Sequence, residues 1–314
     1  MPSRGATESS SASAAQPSPR TAILLLLAVI LVWGANWPIM KVGLDYIAPL
    51  TFAAVRLALG GAVLFVVLAL RGELQWPSRQ DLPVVCSVGL FQLAGFLIFV
   101  NLGLLHVEAS RSAILSYTTM IWVTPAAILL LGERSTWLKI GGVASGLAGI
   151  AVMFNPAGFD WNDRAAIIGN LLLLGGALAW AIGIIHVRAH RWQKSALALA
   201  PWQMVVGFVP TAILAVLWEA DQPILWSPEL WAVLAYNGPI ATAFGLWAWV
   251  SVNRGLPAIA SSMGSLGVPL AGAILSTLAL GEAVTVENLA GLALISLGLG
   301  LVSFEAARQP SPSE

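Results

Sequence analysis

The chemistry open to this chain is set by how few charged groups it buries. Arg56 is the single charge deep within an apolar run, the stretch from Pro49 to Leu70. In hydrocarbon such a group costs about 2.5–3.5 kcal/mol by insertion scales, and it normally faces a cavity or a partner. It could contact a substrate carboxylate; equally, it could bond backbone carbonyls or snorkel towards an interface. Glu133 and Glu282 each follow a glycine at the end of an apolar run. Glycine there typically terminates a helix, so these acids read as structural or gating groups near water. No acid falls in the core of any apolar run, which disfavours a carrier that swaps protons for cationic drugs.

Other groups offer stacking and hydrogen bonding. Trp33 and Asn36 stand three residues apart, on one helical face. Gln92, Asn101, Gln203, Tyr236, Asn237 and Trp247 are further polar or aromatic candidates within or beside apolar runs. Polar groups in hydrocarbon also hold helices together, so packing is open to each of them. The histidines His106, His186 and His190 make no H-E-x-x-H motif, and a zinc site is not expected. A lone cysteine, Cys86, excludes an intrachain disulfide framework. No G-x-x-x-x-G-K-[ST] loop occurs, which excludes ATP-driven transport by this chain alone. Converging nucleophiles, carboxylates or metal ligands are missing inside the apolar runs, so neither enzyme activity nor a cofactor is expected.

The elements that must position these groups follow from composition. The chain has 314 residues, 58% hydrophobic and 10% charged, with mean hydropathy +0.84. Soluble domains carry about 25% charged residues. This is the composition of a polytopic membrane protein solvated by a lipid bilayer. Its zero net charge leaves no basic footprint for nucleic acid. A membrane helix needs about 20 apolar residues. Nine stretches of 17–27 residues contain no Asp, Glu, Lys or Arg, and the Arg56 segment makes a tenth. The expectation is an all-α integral membrane protein of ten transmembrane helices.

Basic residues mark the cytoplasmic side. With the N-terminus inside, eleven Lys and Arg residues fall on inner segments and Lys41, Arg111 and Arg164 on outer ones. Both termini are then cytoplasmic. Residues 1–20 are rich in Ser, Ala and Pro and read as a disordered tail, with a second short tail at 306–314. The first span lacks a convincing small-residue cleavage site and reads as an uncleaved helix. Trp76, Trp137, Trp161, Trp226 and Trp231 fall at span ends, where an interfacial aromatic belt is expected.

The ten spans divide into two similar halves, 21–155 and 165–305. An offset of 149 pairs Ala109–Ala113 and Leu131-Gly132-Glu133 with 258–262 and Leu280-Gly281-Glu282, and Gly142 with Gly291. An offset of 147 pairs Trp33 with Trp180, Lys41 with Arg188 and Gly60 with Gly207. Five is odd, so the second copy enters the membrane inverted. Inverted repeats are a hallmark of secondary transporters, whose substrate sites lie near the midplane between the repeats. Trp33 and Trp180 could therefore flank a central cavity. Gly142, Gly146 and Gly149 in span 5, and Gly291, Gly298 and Gly300 in span 10, form small-residue surfaces that let backbones approach closely. They could join spans 5 and 10 within the chain or serve a homodimer.

Trp33-Gly34-Ala35-Asn36-Trp37, the single Arg56 and the two Gly-Glu endings resemble the EamA group of the drug/metabolite transporter superfamily. The resemblance covers nearly the whole chain apart from its tails. It implies a carrier of the bacterial inner membrane, most often an exporter of amino acids or related small metabolites. It also implies a pocket role for Tyr117, whose position matches an aromatic lining residue of the family. One departure is Met120, where the family carries a proline; the second copy has Pro269, and Pro125 lies five residues beyond Met120. The expected function is alternating-access transport of small amphipathic solutes at an aromatic, nearly uncharged site. The alternative is a passive channel or facilitator.

Overall fold

The computed structural model describes residues 17–132, 136–154, 162–255, 267–283 and 285–308; helices are the only regular structure among them. The tail expected at 1–20 lies outside the described residues up to position 16, as does 309–314 of the C-terminal one. The helices are α1 (Pro19–Gly43), α2 (Pro49–Leu70), α3 (Leu82–Leu104), α4 (Ala109–Leu130) and α5 (Trp137–Phe154). Then come α6 (Arg164–Ala189), α7 (Ala196–Glu219), α8 (228–255), α9 (Gly267–Leu280) and α10 (Val286–Arg308). By length and composition, α1, α2, α3, α4, α6 and α7 are able to cross a membrane, and α5, α9 and α10 are shorter apolar helices.

Local chemistry sets the ends. Proline opens α1, α2 and α8, where its missing N–H is not needed. Ser18, Asp163, Ser195 and Ser227 each accept a backbone N–H in the first turn of α1, α6, α7 and α8. Gly132 and Gly281 follow α4 and α9 with φ of +67° and +69°, the left-handed geometry that glycine adopts without strain. The outward surface is as apolar as the core: Leu129 is 80% and Leu278 76% exposed. Such a surface is compatible with lipid and not with water. Trp76, Trp137, Trp226 and Trp231 are exposed, as is Trp218, which the sequence pattern did not single out; Trp161 lies outside the described residues.

The two halves interlock. α1 packs on α8 and α9 of the second half, while α6 packs on α3 and α4 of the first. Equivalent helices also meet each other. Glu219 bonds Thr51, Met204 lies against Gly61 and Trp202 stacks edge-on with Phe65, so α2 and α7 run antiparallel. In α5 and α10, a Cβ at Gly142 would lie 2.7 Å from Gly298 O, and one at Gly149 would lie 2.9 Å from Gly291 O. Only glycine permits that backbone approach, and again the pairing is antiparallel. Gly142, Gly146, Gly149, Gly291 and Gly298 thus make close contacts within this chain.

Two stretches depart from α-helical geometry. Val88–Gly95 in α3 and Tyr236–Phe244 in α8 are π-helical and occupy matching places in the two halves. Such wide turns are rare and often mark functional sites. Each packs tightly on the helix pair opposite. A Cβ at Gly60 would meet Thr242, and one at Gly207 would lie 2.8 Å from Gly89 O.

Candidate functional site

The π-helical turn of α8 gathers side chains from three helices. Arg56 from α2 donates through Nε to Thr242 Oγ1 at 2.8 Å and through Nη1 to Met40 Sδ at 3.0 Å. Thr242 in turn donates to Asn237 O at 2.7 Å, which fixes its hydroxyl oxygen as an acceptor for arginine. Trp33 Nε1 donates to Ala241 O at 2.9 Å, one residue along the same turn. The Tyr236 hydroxyl donates to Val32 O at 2.8 Å. Trp33 also lies 5.7 Å from Trp249, ring centre to ring centre, and Trp247 lies 5.8 Å from Phe244. Arg56, Trp33, Tyr236 and Trp247 are all only partly buried, although each lies more than one turn inside its helix.

The matching place in the first half is neutral. Trp180 of α6 packs edge-on against Phe96, with centroids 4.7 Å apart. Gln92 projects against Gly183, where a Cβ would fall 2.6 Å from its own. Gln203, the counterpart of Arg56, is buried on α7. Thus the structure brings Trp33, Arg56 and Tyr236 together on α8, and places Gln92 and Trp180 beside the equivalent turn of α3.

Other candidates fall elsewhere. Tyr117 ends the first segment of α4 at a break in the helix. It lines a small hollow with Thr118, Ile121, Gly142 and Gly146, between α4, α5 and α10. Asn36 is buried, and its Oδ1 has no hydrogen bond among the described residues. Asn101 donates to Pro49 O and Asn237 to Val233 O, so both serve the backbone. An open groove of about 490 Å³ between α1, α8 and α9 is lined by apolar residues such as Ala35, Val42 and Leu278 and holds none of the candidate residues. His186 and His190 stand four apart on α6, an H-x-x-x-H spacing, with ring centroids 6.4 Å apart. Among the described residues no three His, Cys, Asp or Glu gather to hold a metal.

The carboxylates work at helix ends. Glu282 accepts the backbone N–H groups of Ala109 and Ser110 at 2.7 and 2.8 Å, capping α4 from the end of α9. Glu133 lies outside the described residues. Glu219 does the same for α2, accepting from Leu50 N, Thr51 N and Thr51 Oγ1 at 2.8–3.0 Å. Lys41 donates to Leu104 O and Val107 O, closing the far end of α3. Between α3 and α4, burial and the nearby Glu282 push the Glu108 carboxyl up. On the opposite side of the molecule, Asp81 joins the halves. Its Oδ1 lies 3.0 Å from His190 Nε2 and accepts the Gln193 N–H at 3.0 Å, while Oδ2 accepts from Ser78 at 2.7 Å. Burial raises the Asp81 carboxyl, but the bonds from His190, Gln193 and Ser78 outweigh it and hold it at about 2. Glu219 and Asp81 had no sequence signal as links between the halves, because the partners they reach there, Leu50 and Thr51, His190 and Gln193, lie more than a hundred residues away.

Comparison with known proteins bears on what this site serves. The family model described as the EamA-like transporter family matches residues 20–155 and again 167–304. A Bacillus subtilis protein described as the uncharacterized transporter YvbV is 30% identical over 294 residues, covering 93% of this chain and 94% of its own. A Salmonella typhimurium protein described as a probable amino-acid metabolite efflux pump is 25% identical over 283 residues, 88% of this chain and 92% of its own. One solved crystal structure superposes with a TM-score of 0.64 at 22% identity, covering 93% of this chain and 99% of that one; it shares the fold.

Proposed function

Because the chain belongs to the EamA-like transporter family and carries two copies of its unit, we propose that it is a secondary carrier working by alternating access. It moves small amphipathic metabolites, amino acids or their relatives, outward across the bacterial inner membrane. Ten spans form two inverted halves, 21–155 and 165–305, between cytoplasmic tails at 1–20 and 306–314. The antiparallel contacts of α2 with α7 and of α5 with α10 support the inversion. Two inverted copies that exchange conformations give outward-open and inward-open states of similar energy. Solute recognition is assigned to the turn of α8 and its counterpart in α3. There Arg56 offers charge, Trp33, Tyr236, Trp247 and Trp180 offer ring faces, and Gln92 offers its amide; the buried Asn36 joins them in a conformation that opens its side of α1. Tyr117 joins this set in the conformation that opens the hollow beside α4. Glu282 holds the start of α4, and a structural or gating role is assigned to it and to its repeat mate Glu133.

The single observation that carries this reading is the convergence of Arg56 and Trp33 on consecutive residues of a π-helical turn. The relative described as an amino-acid metabolite efflux pump supports the solute class. Counterflow tests it: purified protein in liposomes loaded with unlabelled amino acids, labelled amino acids outside. A transient, saturable uptake that is absent from empty liposomes is expected. Flux that neither saturates nor shows trans-stimulation would establish a channel instead. Reporter fusions at each terminus test the topology, and both should read as cytoplasmic.

A further inference from the structure

We infer that this site recognises the carboxylate and the apolar body of its solute and sets no carboxylate against a positive charge, so that among amphipathic solutes it prefers monoanions to zwitterionic amino acids and amines. The inference rests on the carrier reading above and names the substrate class of the same site.

The polar groups around the α8 turn divide into those already committed and those still able to bond. The N–H of Trp33 and the hydroxyl of Tyr236 are spent on the carbonyls of Ala241 and Val32. Both rings are therefore fixed, with ring faces as their main offering. Arg56 differs. A guanidinium has five N–H donors, and Thr242 and Met40 engage one each. The remaining donors make no hydrogen bond among the described residues, and the side chain keeps accessible surface. Held at Nε and at one edge, it presents the geometry that binds a carboxylate by two parallel hydrogen bonds.

A solute cation finds ring faces and amide groups there but no carboxylate. Among the described residues every acid lies between helices or near a helix end. Glu219 and Glu282 have both carboxylate oxygens occupied by backbone N–H groups. The unpartnered amide oxygens of Asn36 and Asn237 are buried away from accessible space. The α-ammonium of an amino acid sits next to its carboxylate and would have to enter beside Arg56, against a like charge at low dielectric. An N-acylated amino acid or an arylalkanoate keeps the carboxylate and the apolar body without that ammonium. The counterpart Gln203 brings no acid either, so the preference holds in both halves.

A charge-dissected series tests this on the full chain in detergent and in liposomes. The probes are 3-phenylpropionate, N-acetylphenylalanine, phenylalanine and phenethylamine, read by tryptophan fluorescence and by counterflow at neutral pH. The first two should bind at least tenfold more tightly than phenylalanine, and phenethylamine should not compete at a hundredfold excess. Arg56→Gln, which copies the residue of the other half, should cost the carboxylates tenfold or more and erase the ranking; Arg56→Lys should restore part of it. Equal or tighter binding of phenylalanine or phenethylamine overturns the inference. So does an unchanged ranking in folded Arg56→Gln, or no binding by any probe. If Arg56→Gln does not fold, the wild-type ranking decides alone. Saturable counterflow that favours phenylalanine would retain the carrier and remove the selectivity. Selective carboxylate binding without counterflow would do the opposite.

Discussion

The same backbone frame occurs twice in this molecule, and only one copy holds a charge. Around the α8 turn, Gly60 lets α2 approach closely enough for Thr242 to reach Arg56. Around the α3 turn, Gly207 gives α7 the same approach, but the residue met there is Leu93. Arg56 and Thr242 thus stand where the other half has Gln203 and Leu93. A guanidinium set between two spans needs an acceptor supplied by the helix it packs against, and the half without one has no arginine. The difference teaches that the repeat specifies helix packing and glycine contacts, while recognition chemistry is written into one copy at a time.

The seam common to both halves should break hardest. Gly298→Leu would drive a side chain into the backbone of Gly142, and we expect loss of folded, monodisperse protein, more than about 3 kcal/mol. Gly141→Leu, whose Cβ meets nothing within 4 Å, should keep its melting temperature. Moving the charge to the other half comes next. Gln203→Arg, in the half that has Leu93 in the place of Thr242, should destabilise by about 2.5–3.5 kcal/mol as an unpaired charge in a span, and adding Leu93→Thr should recover part of it. A third contrast uses helix starts. Glu219→Ala leaves the first N–H groups of α2 unpaired and should cost about 2–4 kcal/mol. Ser195→Ala at the matching start of α7 should cost about 1 kcal/mol. Thermal unfolding in detergent ranks both.

The smallest effect is a pH dependence. Asp81 titrates at about 2 in the folded chain, below its ordinary value of about 4. Its stabilisation is therefore present above about pH 4 and lost as pH falls towards 2. Asp81→Asn should melt earlier at neutral pH, and its deficit against wild type should shrink across that acid range. A constant deficit would assign Asp81 a role independent of its charge.

Much of the architecture was legible because it depends on local or periodic features. Charge-free runs mark α1, α3 and α7, and Gly281 ends its helix through a backbone angle that any reader of the sequence could anticipate. The Trp33–Trp180 and Gly142–Gly291 pairings exposed the two copies. The site was less legible. That Arg56 would be held by Thr242, 186 residues away, depends on how α2 crosses α8. The π-helical turns have no periodic signature, since a single extra residue per turn leaves composition unchanged. Tyr117 carried a resemblance to a lining residue, yet it sits by α5 and α10 in this conformation. Glu219 and Asp81 were unremarkable acids at span ends, and only the packing made them clamps between halves.

The exchange of α1 and α6 means that the duplicated sequence and the packed body are different objects. α1 lies on α8 and α9, and α6 on α3 and α4, as in a domain-swapped dimer fused into one polypeptide. A half made alone would expose the faces that the swapped helix covers, whereas two halves made together carry complementary surfaces for each other. Severing the chain between the repeats and co-expressing both pieces should therefore yield an assembled protein. Either piece by itself should be degraded.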